Sequence, residues 1–267
     1  MISYFVHRTR VGDILIKHTN MQSTLIKQII YGGFYLAILA GIIYGGYRMV
    51  NVRYGTCFDG SKNQNEVQID CGGDCVPCEI KALLPIQITG NHLIKNSDGT
   101  FSILVSLKNP NINYAAATLP FTAKLVGGSG IVGEQSGETV VYAGEIKTLL
   151  ITSIHGVGAV RGEILLGASE WKSNAEFPKP NIQLRGIRVI SEGTKKSIAG
   201  FVSNLDSRLV GAVTLFGIFE DGGGLPFVAS QTSLTELLPS EEREFRIIFP
   251  EEIGNGMEFR LYTEALY

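Results

Sequence analysis

FSILVSLKNP, residues 101–110, and SIAGFVSNLD, residues 197–206, decide how most of this chain folds. In the first, apolar and polar residues alternate from Phe101 to Lys108, as in a strand with one buried face. Asn109-Pro110-Asn111 then breaks the run, because proline brings no N–H to a ladder. Leu107-Lys108-Asn109-Pro110 aligns with Val202-Ser203-Asn204-Leu205, and Ala143-Gly144-Glu145 with Pro239-Ser240-Glu241, at an offset of about 95 residues both times. Strand-like runs follow each anchor in the same order. FTAKLV, VVYAG and KTLLITSI belong to the first, and AVTLFGIFEDGGG, PFVASQTS, REFRIIF and FRLYTEAL to the second. A unit of about 90 residues with six to eight short strands has the size of an immunoglobulin-like sandwich. The expected fold class is therefore mainly β, with sandwich domains at 81–177 and 182–267. FPKPN, residues 177–181, reads as a stiff joint between them, so an extended rod with the second sandwich outermost is expected.

Upstream the pattern changes. IIYGGFYLAILAGIIYGGY, residues 29–47, carries no charged side chain. At about 1.5 Å per residue it spans about 28 Å, close to the hydrocarbon thickness of a bilayer. Residues 29–48 read as a transmembrane helix, with Tyr31, Tyr35, Tyr44 and Tyr47 towards its ends, where amphipathic rings favour the interface. A cleaved signal peptide would have a shorter apolar region and a small-residue cleavage site, so an uncleaved signal anchor fits better. Arg8, Arg10, Lys17 and Lys27 precede the span and only Arg48 and Arg53 follow closely, which predicts a cytoplasmic N-terminus and extracytoplasmic domains. Residues 1–28 are expected to form a cytoplasmic segment with a short helix on the membrane face, its His7 and His18 interfacial or solvated. Gly33, Ala37, Gly41 and Gly45 recur every four residues and mark a helix-packing face for self-association or a membrane partner.

TCFDGSKNQNEVQIDCGGDCVPC, residues 56–78, holds all four cysteines. Zinc favours two separated CxxC pairs, and only Cys75-Val-Pro-Cys78 is present. A redox CxxC favours a thioredoxin-like βαβ setting, which the surrounding Gly- and Pro-rich sequence lacks. Cys57, Cys71, Cys75 and Cys78 are thus expected to form two disulfides in a small module, residues 54–80, outside the cell. Three pairings are open. Asp59, Asn63, Asn65, Glu66 and Asp70 crowd oxygen ligands into the same loop, a pattern that suits Ca²⁺. Gln64 stands where an EF-hand needs glycine, and the alternative is that Asp and Asn cap turns.

The string from Cys57 to Cys78, with Asp59-Gly60, Glu66, Asp70-Cys71-Gly72-Gly73 and the final CxxC, resembles a cysteine-rich motif common in bacterial surface proteins. The second repeat resembles FxLYD-type Ig-like bacterial modules through Val202-x-Asn204, Phe216–Gly222 and Leu238-Pro239-Ser240-Glu241-x-x-x-Phe245. Ile and Phe replace the usual Leu and Tyr, and the usual Pro-Gly-Glu turn reads Pro-Ser-Glu. These resemblances imply an extracellular module that binds or spaces, with no active site to carry over.

The near-neutral net charge of −2 offers no footprint for nucleic acid. His92 and His155 belong to no nucleophile motif, GGSG and DGGG connect strand-like runs as hairpin turns, and Trp171 reads as a packing residue. The sequence therefore predicts a non-enzymatic, single-pass membrane protein for adhesion, scaffolding or envelope-complex assembly. Its expected partners are the lipid bilayer and a protein in the envelope or on another cell. Other readings are a membrane-tethered thiol–disulfide oxidoreductase using Cys75 and Cys78, or a Ca²⁺-dependent adhesin. The Gly222–Gly224 turn of the second sandwich is the expected contact surface.

Overall fold

The computed structural model describes residues 12–51, 55–63, 65–254 and 256–267, and the chain divides into two compact units, Met1–Lys81 and Ala82–Tyr267. In the first unit, α1 (Gly12–Asn51) is one continuous helix. This corrects the expectation of a separate short helix before residue 29. Lys17 and Lys27 do not interrupt a helix, since lysine is a good helix former, and no Gly-Pro punctuation divides the segment. His7, Arg8 and Arg10 lie outside the described residues. Within α1, Thr24–Val50 is long and apolar enough to cross a membrane, and none of it is buried in the protein. Its 27 residues span about 40 Å, the hydrocarbon layer plus most of its interfaces.

The second unit is all antiparallel sheet. β1 (Gln87–Lys95), β2 (Phe101–Lys108) and β5 (Ile146–Ile154) pair in the order β1-β2-β5. Facing them, β3 (Tyr114–Gly127), β4 (Gly130–Val141) and β6 (Ala159–Leu166) pair in the order β4-β3-β6, and β7 (Glu170–Ser173) pairs with the start of β3. The second repeat copies this topology. β8 (Ile182–Glu192), β9 (Lys195–Asn204) and β12 (Glu242–Glu252) correspond to β1, β2 and β5; β10 (Val210–Glu220), β11 (Pro226–Leu237) and β13 (Glu258–Leu266) correspond to β3, β4 and β6.

Strand alternation builds each core. Phe101, Ile103, Val105 and Leu107 of β2 face Leu119, Phe121, Ala123 and Leu125 of β3. Ile198 and Val202 of β9 face Val213, Leu215 and Phe219 of β10, with Phe245, Ile247 and Phe249 of β12. Trp171 packs against the first core, as expected.

The two sandwiches are not spaced apart. Leu104 points away from its own core and, with Ile94 and Leu150, meets Phe216 and Ile218 on the outer face of β10. Phe216 stacks on Tyr262 at 5.0 Å. β2 and β10 are thus buried on both faces, and the β1-β2-β5 sheet of one sandwich lies on the β11-β10-β13 sheet of the next. The extended rod is corrected for a physical reason. Each outer face carries large apolar side chains, and covering one stabilises by about 1.5–3 kcal/mol. The joint itself is tied down. Phe177 stacks on Tyr142 at 5.6 Å, and Lys179 pairs with Glu145 at 2.6 Å.

Candidate functional site

Two places concentrate chemistry: the disulfide module and the joint between the sandwiches. In the module, Cys57 bonds Cys75 and Cys71 bonds Cys78. The CxxC cysteines therefore belong to different bridges, an arrangement that lacks the Cys75–Cys78 bond of a redox pair. α2 (Cys78–Lys81) is a single turn. Gly72 and Gly73 have φ of 78° and 62°, and a Cβ on either would collide with Val67 or with the Asn65 carbonyl. Only glycine lets the chain fold back this tightly between two bridged cysteines.

Asp59, Asn63, Glu66 and Asp70, four of the five expected calcium ligands, are linked by hydrogen bonds in one loop; the carboxylates serve backbone N–H groups, while Asn63 Oδ1 is buried with no hydrogen-bond partner among the described residues. Asp59 Oδ1 accepts from Ser61 N at 2.9 Å, and its Oδ2 from Thr56 N and the Asn63 amide at 3.0 and 2.9 Å. Asp70 accepts from Gly60 N at 3.0 Å through one oxygen and 3.2 Å through the other. Buried Glu66 accepts from Asn63 N and Asp70 N at 3.2 and 3.0 Å. Its other oxygen lies 3.4 Å from Cys75 Sγ, a contact without a proton because that sulfur is in a bridge. Asn65 holds a left-handed turn at φ 62°. Carboxylates here satisfy N–H groups that so small a module cannot pair in a ladder. Among the described residues, no group of three or more His, Cys, Asp or Glu side chains is placed to hold a metal ion. Among the described residues, nothing lies within 4 Å of where a Cβ would sit at Gly33, Gly41 or Gly45, on the expected helix-packing face of α1.

At the joint, Lys147 of β5 is buried between repeats. Its Nζ donates to Thr139 Oγ1 at 2.7 Å, to the Val140 carbonyl at 2.8 Å, and to Glu264 of β13. Burial pulls the Lys147 ammonium below the ordinary lysine range, and Glu264 opposes that pull. Beside it, the Tyr142 hydroxyl donates to the Ala265 carbonyl at 2.7 Å. Burial, then the nearby Glu145 and Glu264 carboxylates, hold that hydroxyl well above the usual phenol range, so it remains a donor. Sequence reasoning missed Lys147, Tyr142, Leu104 and Glu264. One signal was present: AVTLFGIFE, residues 212–220, is apolar at both parities, the mark of a strand covered on both faces.

His92 and His155 are both exposed. A cleft of about 550 Å³ over β3 and β4 is lined by Pro120, Phe121, Ser136 and Leu165, with Glu138 its one titratable group. A polar cleft of about 310 Å³ between the sandwiches holds Ser97, Asp98, Ser230 and Glu251. Glu251 accepts there from Ser97 Oγ at 3.1 Å through one oxygen, and the other is buried without a hydrogen-bond partner among the described residues.

No protein-family model and no curated protein sequence matches this chain. Among solved structures, red sea bream transglutaminase is similar at 16% identity over 69% of this chain, with a TM-score of 0.22. The chain spans 30% of that enzyme's length, and a likeness this slight carries no argument about fold or activity.

Proposed function

We propose that this chain is a non-enzymatic, single-pass membrane protein that presents two immunoglobulin-like sandwiches outside the cell, for adhesion, scaffolding or assembly of an envelope complex. One observation carries the reading: an apolar helix long enough to span a bilayer is followed within a few residues by a two-disulfide module. Such bridges persist in oxidising compartments, and the Lys/Arg bias across α1 favours the same orientation. The docked sandwiches support a rigid presenting unit. Leu225 and Phe227, exposed beside the Gly222–Gly224 turn, suit contact with a protein partner.

Protease added to intact cells tests the topology. Removal of the sandwiches with retention of the N-terminal segment is expected. Protection of Tyr267 with exposure of Met1 would reverse it. For the partner surface, Leu225→Asp with Phe227→Asp should abolish capture of an envelope partner while leaving the melting temperature in place; undiminished capture would move the contact elsewhere.

A further inference from the structure

We propose that the disulfide module seats on the bilayer, with Phe58, Val67, Ile69 and Val76 in the interfacial layer of a zwitterionic membrane. The inference rests on reading α1 as a membrane span. Those four side chains are 89%, 64%, 55% and 50% exposed, and among the described residues of the module the buried hydrophobic ones are Cys71 and Cys75. The bridges, not an apolar core, hold it together, so its large apolar side chains are available to another phase.

Covalent reach points to which phase that is. From Asn51, the end of α1, to Phe58 the chain has seven steps and extends at most about 25 Å. The 27 residues of Thr24–Val50 already exceed the hydrocarbon layer of about 30 Å, so α1 ends near the interface. A tether this short keeps the module at high effective concentration beside the lipid, and interfacial binding grows with the apolar area buried. Charge selects the lipid. Asp59, Glu66, Asp70, Asp74 and Glu79 outnumber Lys62 in the module and Lys81 just after it, which disfavours an anionic surface. The carboxylates of Asp59, Glu66 and Asp70 accept from backbone N–H groups, and Lys81 lies 3.7 Å from Asp70, which softens the desolvation of the module's face.

The test uses the full chain in phosphatidylcholine nanodiscs, in a Trp171→Phe background, with one tryptophan introduced at a time: Leu39→Trp within the span, Phe58→Trp and Val76→Trp on the module. Brominated phosphatidylcholines then quench by contact, and mass spectrometry checks that all four cysteines stay oxidised. Chain-centre bromines should quench Leu39→Trp. Bromines near the head of the chain should remove most of the emission from Phe58→Trp and Val76→Trp, and adding anionic lipid should restore part of it. Quenching at Leu39→Trp with none at either module position would overturn the inference while leaving the anchor intact. The module would then stand in water, or against a second copy or a protein partner if its emission is blue-shifted. No quenching at Leu39→Trp would sink the anchor reading itself, and this inference with it.

Discussion

Asn109 and Asn204, about 95 residues apart, are buried at the same point of each sandwich and make the same hydrogen bonds. Asn109 Nδ2 donates to the Tyr114 and Tyr142 carbonyls at 2.8 and 3.0 Å, and Asn204 Nδ2 to those of Arg208 and Leu238 at 2.8 and 3.1 Å. Each Oδ1 accepts from the N–H two residues on, at 2.9 Å. Each backbone N donates to a turn glutamate carbonyl, Glu145 or Glu241. Those glutamates return a carboxylate to the N–H of Tyr142 or Leu238. The residue before each is left-handed, Gly144 at φ 66° and Ser240 at φ 60°.

Asn204→Ala strips the side-chain donor from the Arg208, Leu237 and Leu238 carbonyls. The loss should be about 1–3 kcal/mol by urea denaturation. Asn204→Asp should cost more, because it sets an acceptor against acceptors. Equal stability of Asn204→Ala and the parent chain would show that these carbonyls find other donors.

Glu264→Ala leaves the Lys147 ammonium buried without its counter-charge and should destabilise the chain by about 3–5 kcal/mol. Lys147→Met with Glu264→Leu should recover most of that loss, because the pair's attraction mainly offsets its own desolvation. A double-mutant cycle by chemical denaturation reads both. A double variant as unstable as Glu264→Ala would mean that the joint needs the charges for more than mutual neutralisation.

Acid should weaken the second sandwich. The Leu238 N–H, then Arg243, holds the Glu241 carboxyl below its ordinary range; the Asn181 N–H, then Tyr267, does the same for Asp206. Both groups stay ionised in the folded chain at a pH where the unfolded chain takes up protons. Their contribution is therefore full above the ordinary carboxylate range and is lost as pH falls below about 4. Melting temperatures from pH 7 to pH 3 should fall more steeply for the parent chain than for Glu241→Gln with Asp206→Asn. Parallel curves would remove these groups from the acid response.

Non-reducing peptide mapping should recover Cys57 joined to Cys75 and Cys71 joined to Cys78, with no alkylatable thiol. Each bridge contributes roughly 3 kcal/mol in the chain-entropy model. Reduction should unfold the module and leave the sandwich melting transition in place, since each unit holds its own contacts. A Cys75–Cys78 peptide would reinstate the redox reading.

Local pattern alone carried the apolar helix, the alternating strands, the repeat and the two-bridge module. Each is a one-dimensional signal: helical length against a bilayer, parity along a strand, offset between anchors, an even count of cysteines. Even the Asn109 and Asn204 anchors were visible as strand ends, although their buried hydrogen bonds were not. Tertiary structure decided the rest. FSILVSLK shows one strongly apolar parity, and on the other only Leu104 stands between Ser102 and Ser106. One leucine does not announce a covered face. Leu104 is buried because Phe216 and Ile218, more than a hundred residues on, arrive on that side. Lys147 reads in sequence as a solvated strand lysine, and becomes a buried cation only once Glu264 closes over it. Cysteine pairing likewise followed from how Gly72 and Gly73 turn the chain, because spacing permits three pairings and the fold admits one.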